Sequence, residues 1–496
     1  MTDLVQLFRK NRTLIITLAV LLLLFLMAVQ GMSTKDWVVT VLRGLSVGAV
    51  TFLVAAGFSI ILGLMDVLNL AHGTLFMIGA YLAWSMYVRP DTIVDLSSPL
   101  LLIAAGLLLM PLWRPRLGRL DLPAPVARFG PWILLLAALV LLALTLPQAP
   151  ISIWNPDVYD ESPVVWNQYF GAGSMEEQAE HATFEPGQPA LLIWGAILLA
   201  GILLGVSLVA ISQRRSKTVT AAAPGAQRRA LAVFLALVVL AVLLWIVNRP
   251  LSNFLFGLDS TVLFLIAVVF ATLAGAGLGG LMEATMIRPL YERAIYQIML
   301  TFGLAFIGTE VVRAIWGRTG FTMPKPSLFA GTGEGCPAET VGDWLQYQCS
   351  TLVLDIGGET ARIRVYNELF LPLAGLVVLV AVWILLQRTR LGMIIRAGVQ
   401  DSEMVEALGI NVRRVFTLVF ALGVGLAALG GALAAPASGL SDAMGATLLL
   451  SALIALAIGG LTSYPGAALG SVIVGLLQQF IIKYGQIGIN LPFLDE

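Results

Sequence analysis

Charge is what this chain has least of. Asp, Glu, Lys and Arg make up only 12% of its 496 residues, against about 25% in an ordinary soluble domain. The 29 basic and 29 acidic residues cancel, so the basic excess that a nucleic-acid backbone demands is missing. Two cysteines are too few for a disulfide scaffold or a closed zinc site. Two histidines, His72 and His181, leave little material for metal or general-base chemistry. None of the five lysines (Lys10, Lys35, Lys217, Lys325 and Lys483) follows a glycine, so the Gly-Lys-[Ser/Thr] end of a phosphate-cradling loop is absent. H-E-x-x-H, G-x-S-x-G and C-x-x-C are absent too. These gaps exclude a soluble globular protein, a disordered chain, a nucleic-acid binder and a pump that hydrolyses ATP itself. They leave an enzyme little to stand on, and no cofactor is expected.

Apolar residues fill the space: 58% of the chain, with a mean hydropathy of +0.91. Apolar stretches lie near 13–29, 41–63, 68–88, 98–112, 131–148, 190–211, 230–247, 261–283, 295–316, 367–387, 415–435, 446–462 and 465–482. About 20 such residues cross a bilayer, so the expected fold is an all-α polytopic transmembrane bundle of about 13 apparent spans. The first stretch follows Arg9, Lys10 and Arg12. It is longer than the apolar core of a signal peptide and has no small-residue cleavage site after it, which favours a retained helix. Those cations place the N-terminus in the cytoplasm. Alternation then puts the basic loops 113–129, 212–229 and 388–414 inside, and the loop 149–189, with no Lys or Arg, outside. The second long outside loop, 317–366, holds Cys336 and Cys349. Thiols outside the cytoplasm tend to oxidise, which favours a bridge over two free thiols.

Ionisable groups near membrane depth are few: Asp66, Glu283 and Glu310. Asp66 and Glu283 fall at cytoplasmic helix ends. Glu310 lies inside a span, three residues from Arg313, a spacing that suits a local ion pair better than a proton relay. An ion-coupled transporter or channel would carry more intramembrane charge or a filter. Gly44-x-x-x-Gly48, Gly275-x-x-x-Gly279 and Gly466-x-x-x-Gly470 are small-residue faces that let helix backbones approach.

The loop 388–414 is the most informative polar stretch. Asp401 suits an N-cap, Glu403 the first helical turn, and Gly409 the residue that ends a helix. The two turns between them carry Met404, Val405 and Leu408 on one face. Such a helix could dock into a groove of another protein, or lie flat on the lipid surface.

Three segments resemble the permease subunits of branched-chain amino-acid ABC transporters, of the LivH type. They are 44–84, with Asn69-Leu70-Ala71-His72-Gly73 at its centre; 391–436; and 455–477, which contains ALAIGGLTSYPG. GLMEATMIRPLYER (280–293) resembles the same family's Glu…Arg-Pro-Leu stretch. The resemblance implies a permease subunit of an importer in the cell inner membrane. It implies as partners a second permease, two cytoplasmic ATPases that use the ATP, and a periplasmic substrate-binding protein. It also implies that Arg396, Gln400, Asp401, Glu403, Ala407, Leu408, Gly409, Ile410 and Asn411 form the coupling helix that enters the ATPase groove.

The resemblance divides the chain into an N-terminal helix (1–40), a first core part (41–89), an inserted region with about four apparent spans (90–257) and a second core part (258–496). An even number of spans returns the chain to the side it left, so the insertion is topologically harmless. Family members usually end with a further helix and a basic tail, so the resemblance leaves a last helix missing or the chain truncated. Two polar breaches in the core are candidates for the translocation path: Asn69, His72 and Gly73, and the run Gly459, Gly460, Thr462, Pro465 and Gly466. Each also has a plainer reading. His72 could brace a helix start through a backbone carbonyl, and the glycine-proline run could be a tight turn. Related permeases for urea or short-chain amides are an alternative assignment, and an ion-coupled secondary transporter a more distant one.

Overall fold

The computed structural model describes residues 32–118, 123–152, 183–184, 188–215, 224–291, 293–320, 322–400 and 402–487. The expected first span, the cations before it and nearly all of the acidic loop near 153–182 lie outside the described residues. The chain divides into two compact units, 1–84 with 260–496, and 85–259.

The first unit contains α1 (Thr34–Met65) and α2 (His72–Val88), with the division falling after Trp84. The second contains α3 (Pro90–Leu108), α4 (Met110–Leu117), α5 (Ala124–Thr145), α6 (Ala190–Arg215), α7 (Pro224–Ile246) and α8 (Asn248–Phe256). The first unit resumes with α9 (Ser260–Met282), α10 (Ala294–Trp316), α11 (Val341–Tyr347), strands β1 (Thr351–Ile356) and β2 (Glu359–Arg364), and α12 (Leu371–Arg388). It ends with α13 (Arg390–Gln400), α14 (Ser402–Ala407), α15 (Val412–Ser438), α16 (Met444–Gly459) and α17 (Tyr464–Ile487).

Among the described residues, ten helices are long and apolar enough to cross a membrane. The expected count of about 13 is not reproduced. α2 and α16 are shorter, at 17 and 16 residues, and the first stretch is not described. The helical bundle also carries one antiparallel hairpin, in which Ile356 faces Glu359 across Gly357-Gly358. Both glycines have positive φ, 64° and 83°, which a two-residue hairpin turn of the right twist requires.

In the first unit α1 and α15 are central. The three glycine faces are contact faces. A Cβ on Gly44 would lie 2.9 Å from Leu476 Cα, and one on Gly48 3.0 Å from Ser471 O, both on α17. A Cβ on Gly279 would lie 2.6 Å from Val424 Cβ on α15. Gly466 and Gly459 abut backbone to backbone where α16 meets α17. Leucine-sized side chains there would push the helices apart and forfeit dispersion contacts along their length.

In the second unit Leu102, Ala149, Ile193, Ile197 and Ala241 form the core. Ser98 donates to Ala241 O (3.1 Å) and Ser207 to Pro131 O (2.8 Å), so small hydroxyls tie α3 to α7 and α6 to α5. Buried Asp95 accepts from Ser152 N (2.8 Å) and Asn248 Nδ2 (2.6 Å).

Candidate functional site

The polar loop after α12 folds into two short helices. Thr389 Oγ1 accepts from Gly392 N (3.1 Å) and starts α13; Asn411 Oδ1 accepts from Arg414 N (3.2 Å) and starts α15. Between them α14 ends in a double backbone bond. Gly409 N donates to Glu406 O (2.9 Å), Ile410 N donates to Val405 O (3.3 Å), and Gly409 has φ of +83°. This is the Schellman termination, which satisfies two otherwise orphaned carbonyls and needs a left-handed residue.

The expected apolar face splits. Val405 is buried, whereas Met404 and Leu408 are 60% and 73% exposed. Ala407 is exposed and Ile410 half-buried. Arg396 is half-buried and bonds Gln387 Oε1. Asp401 and the side chains of Gln400 and Glu403 lie outside the described residues. Asn411 therefore serves as the cap of the following helix.

A cluster next to this loop was only partly visible in sequence. The side chain of Glu283 is fully buried at the end of α9, where the helix widens to a π turn over Glu283–Ile287. Arg288 donates to both of its carboxylate oxygens (3.1 and 2.7 Å). Tyr291 OH donates to Oε1 (2.5 Å) and Thr417 Oγ1 to Oε2 (2.7 Å). Thr417 lies in the second turn of α15, so this clamp fastens α9 to the helix that follows the 388–414 loop.

At the far end of α15 lies a cavity of about 330 Å³. Ser46, Val47, Val50 and Thr51 of α1 line one side, and Ala434, Ala437 and Ser438 of α15 another. Phe76, Asn367, Leu371, Met444, Thr447, Leu448, Ser451 and Gln478 complete it. No lining residue is ionisable. Thr51 Oγ1 and Asn367 Oδ1 are buried without a partner, an arrangement that favours a ligand supplying the missing hydrogen bonds. From Val412 to Ala434 the helix advances about 33 Å, at about 1.5 Å per residue, so the cavity and α14 lie at opposite ends of α15.

Neither sequence breach lines this cavity. Asn69 and His72 are fully buried. Asn69 Oδ1 accepts from Ala71 N (3.1 Å), and His72 Nε2 lies 3.1 Å from Val54 O. The carbonyl can only accept, so Nε2 carries the proton. His72 thereby holds the start of α2 against α1, and Gly73 packs on Gly445. The second breach is a turn: Gly460 has φ of +102°, Ser463 N donates to Gly460 O (3.2 Å) and Gly466 N to Ser463 Oγ (3.1 Å). Pro465 sits in the first turn of α17, and Thr462 packs on Gly63 at the α14 end of α1. The two breaches therefore part: Gly73 packs beside the cavity-lining Met444 and Leu448 without facing the cavity, whereas the Gly459–Gly466 turn lies at the other end of α1.

Cys336 and Cys349 are bridged. Arg313 pairs with Glu310 (2.5 Å), as the spacing suggested, and also with Asp442 (2.8 Å) in the α15–α16 connection.

The sequence profile of the family described as branched-chain amino acid transport system, permease component, matches residues 226–492. The chain is 30% identical over 116 residues to the high-affinity branched-chain amino acid transport system permease protein BraD of Pseudomonas aeruginosa, covering 23% of this chain and 38% of that one. It is 33% identical over 107 residues to the corresponding LivH of Escherichia coli K12, covering 21% and 35%. It is 27% identical over 109 residues to a probable branched-chain amino acid transport permease protein LivH of Methanocaldococcus jannaschii, covering 22% and 35%. The chain thus spans little more than a third of the length of these relatives. No solved structure matches it.

Proposed function

The chain belongs to the permease-component family of branched-chain amino acid transport systems, and on that premise we propose that it is the membrane subunit of an ATP-driven importer of leucine, isoleucine and valine. It is a multi-pass inner-membrane protein. In this reading an external binding protein delivers the solute, a second permease completes the path, and two cytoplasmic ATPases drive it.

One observation carries the reading: a helix of six residues, locked by the Gly409 termination, presents exposed Met404 and Leu408 where the family places its coupling helix. ATPase closure pushes α14. The Glu283 clamp fastens the start of α15 to α9, so α15 moves as a rigid rod, and its far end, Ala434 to Ser438, reshapes the cavity. The cavity suits a small zwitterion with an apolar side chain. Hydroxyl and amide groups meet the ammonium and carboxylate, and Val47, Val50, Phe76 and Leu448 meet the aliphatic chain.

The test is capture and uptake in the native host. Pull-down through this chain should recover a nucleotide-binding subunit, and the double substitution Met404→Asp, Leu408→Asp should lose it while the permease still inserts. Cells carrying the native chain should import leucine. Strong urea uptake without leucine uptake would move the assignment to the urea branch.

A further inference from the structure

The cavity is neutral, but the surface just outside it is not. On α1, Arg43 precedes Ser46 and Val47 by three and four residues and Val50 and Thr51 by seven and eight. All five therefore lie on one stripe, and Arg43 continues the cavity wall by one turn outward. Its Nε donates to Glu368 Oε1 (2.9 Å). Glu368 follows the lining residue Asn367 in sequence, and its side chain is fully buried. The same carboxylate accepts from Arg364 N (2.9 Å) and Arg364 Nε (3.4 Å). Lys325 stands in the field of both Arg364 and Glu368. Burial, reinforced by the Arg364 guanidinium, holds that ammonium below the usual lysine range. The two guanidiniums stay charged at any physiological pH. Both arginines keep nearly half of their side-chain surface exposed, 44% and 47%, so at least one uncompensated positive charge faces the approach. The nearby Lys483–Asp36 pair (3.0 Å) is balanced and leaves that excess unchanged.

Resting on the transport reading above, we propose that Arg43, Glu368 and Arg364 form a cationic collar at the cavity mouth that draws in solutes by their carboxylate. Glu368 holds the guanidiniums in place and cancels only part of their charge. A solute with a carboxylate gains a partner at the threshold, whereas a neutral amide or urea finds none.

Both native cysteines are bridged, so Ser451→Cys places a unique free thiol on the cavity wall. In right-side-out membrane vesicles at low ionic strength, this thiol is modified with an anionic sulfonatoethyl or a cationic trimethylammonioethyl methanethiosulfonate. Each rate is normalised to that of a free thiol in solution. The anionic reagent should be favoured by about tenfold, the lower end of electrostatic focusing in a cleft. Arg43→Gln should bring the ratio toward one, Arg43→Lys should keep it, and Glu368→Gln should raise it. A ratio indifferent to these substitutions, or a thiol that neither reagent reaches, overturns the collar. Leucine uptake by the chain with its native Ser451 separates the two readings. Normal uptake with a flat charge series removes only the collar, and a responsive series without uptake removes the transport assignment.

Discussion

In the unit made of 1–84 and 260–496, two helices are largely enclosed: 67% of the most apolar window of α1 and 78% of that of α15 are buried. In the 85–259 unit no spanning helix exceeds 44%, and those at 125–148 and 225–246 reach 17% and 11%. Composition explains the contrast. α15 reads GVGLAALGGALAAP through its middle, whereas α5 reads LLLAALVLLALT. Glycine and alanine let backbones close on one another, and leucine covers a surface that meets lipid. The polar groups differ in the same way. In the first unit they line a cavity and clamp helix ends; in the second, Asp95 fastens a connection and a short helix. The first unit encloses two glycine- and alanine-rich helices, and the second encloses none to that degree.

That contrast can be broken from either side. Glu283→Ala would leave half-buried Arg288 and Thr417 without their buried anion, and losing hydrogen bonds to such a charge costs about 1.5–3 kcal/mol. Thermal unfolding in detergent should shift accordingly, and leucine uptake should fall with it. Gly409→Val should disturb less of the fold. A β-branched residue in the left-handed region is strained, so α14 is misplaced; uptake should drop at least about tenfold, equivalent to about 1.4 kcal/mol, while membrane insertion persists. Asp95→Ala in the other unit should cost about 1–3 kcal/mol for its orphaned partners and leave uptake per folded molecule unchanged. A comparable loss of uptake there would mean that both units take part in transport. The smallest effect is expected from excision of 90–257 with a short linker. A reporter fused after Arg390 should stay cytoplasmic, and a reporter found outside would show that the excised segment crosses an odd number of times.

Helices, glycine contact faces and the Gly409 terminus were legible because each rests on a local rule: apolar length, small-residue spacing, a left-handed stop. The hairpin at 351–364 was legible too and was missed. Gly357-Gly358 sits between two six-residue strands, but the segment read only as a polar outside loop with two cysteines. Contacts distant in sequence left no local trace. Thr417 reaches Glu283 across 134 residues, and Asp442 reaches Arg313 across 129. The cavity was illegible for another reason. Its polar lining is Ser, Thr, Asn and Gln scattered singly over several elements, where one hydroxyl in an apolar helix looks the same whether it bonds its own backbone or faces a ligand.

The absence of ionised side chains from the cavity wall bears on membrane voltage. A zwitterion passing such a wall has net charge zero, and no charged side chain accompanies it. The field contributes about 2.3 kcal/mol per elementary charge per 100 mV, and here there is no charge for it to act on. Uptake should therefore proceed at the same rate in a polarised cell and in one whose membrane potential has been collapsed at constant ATP.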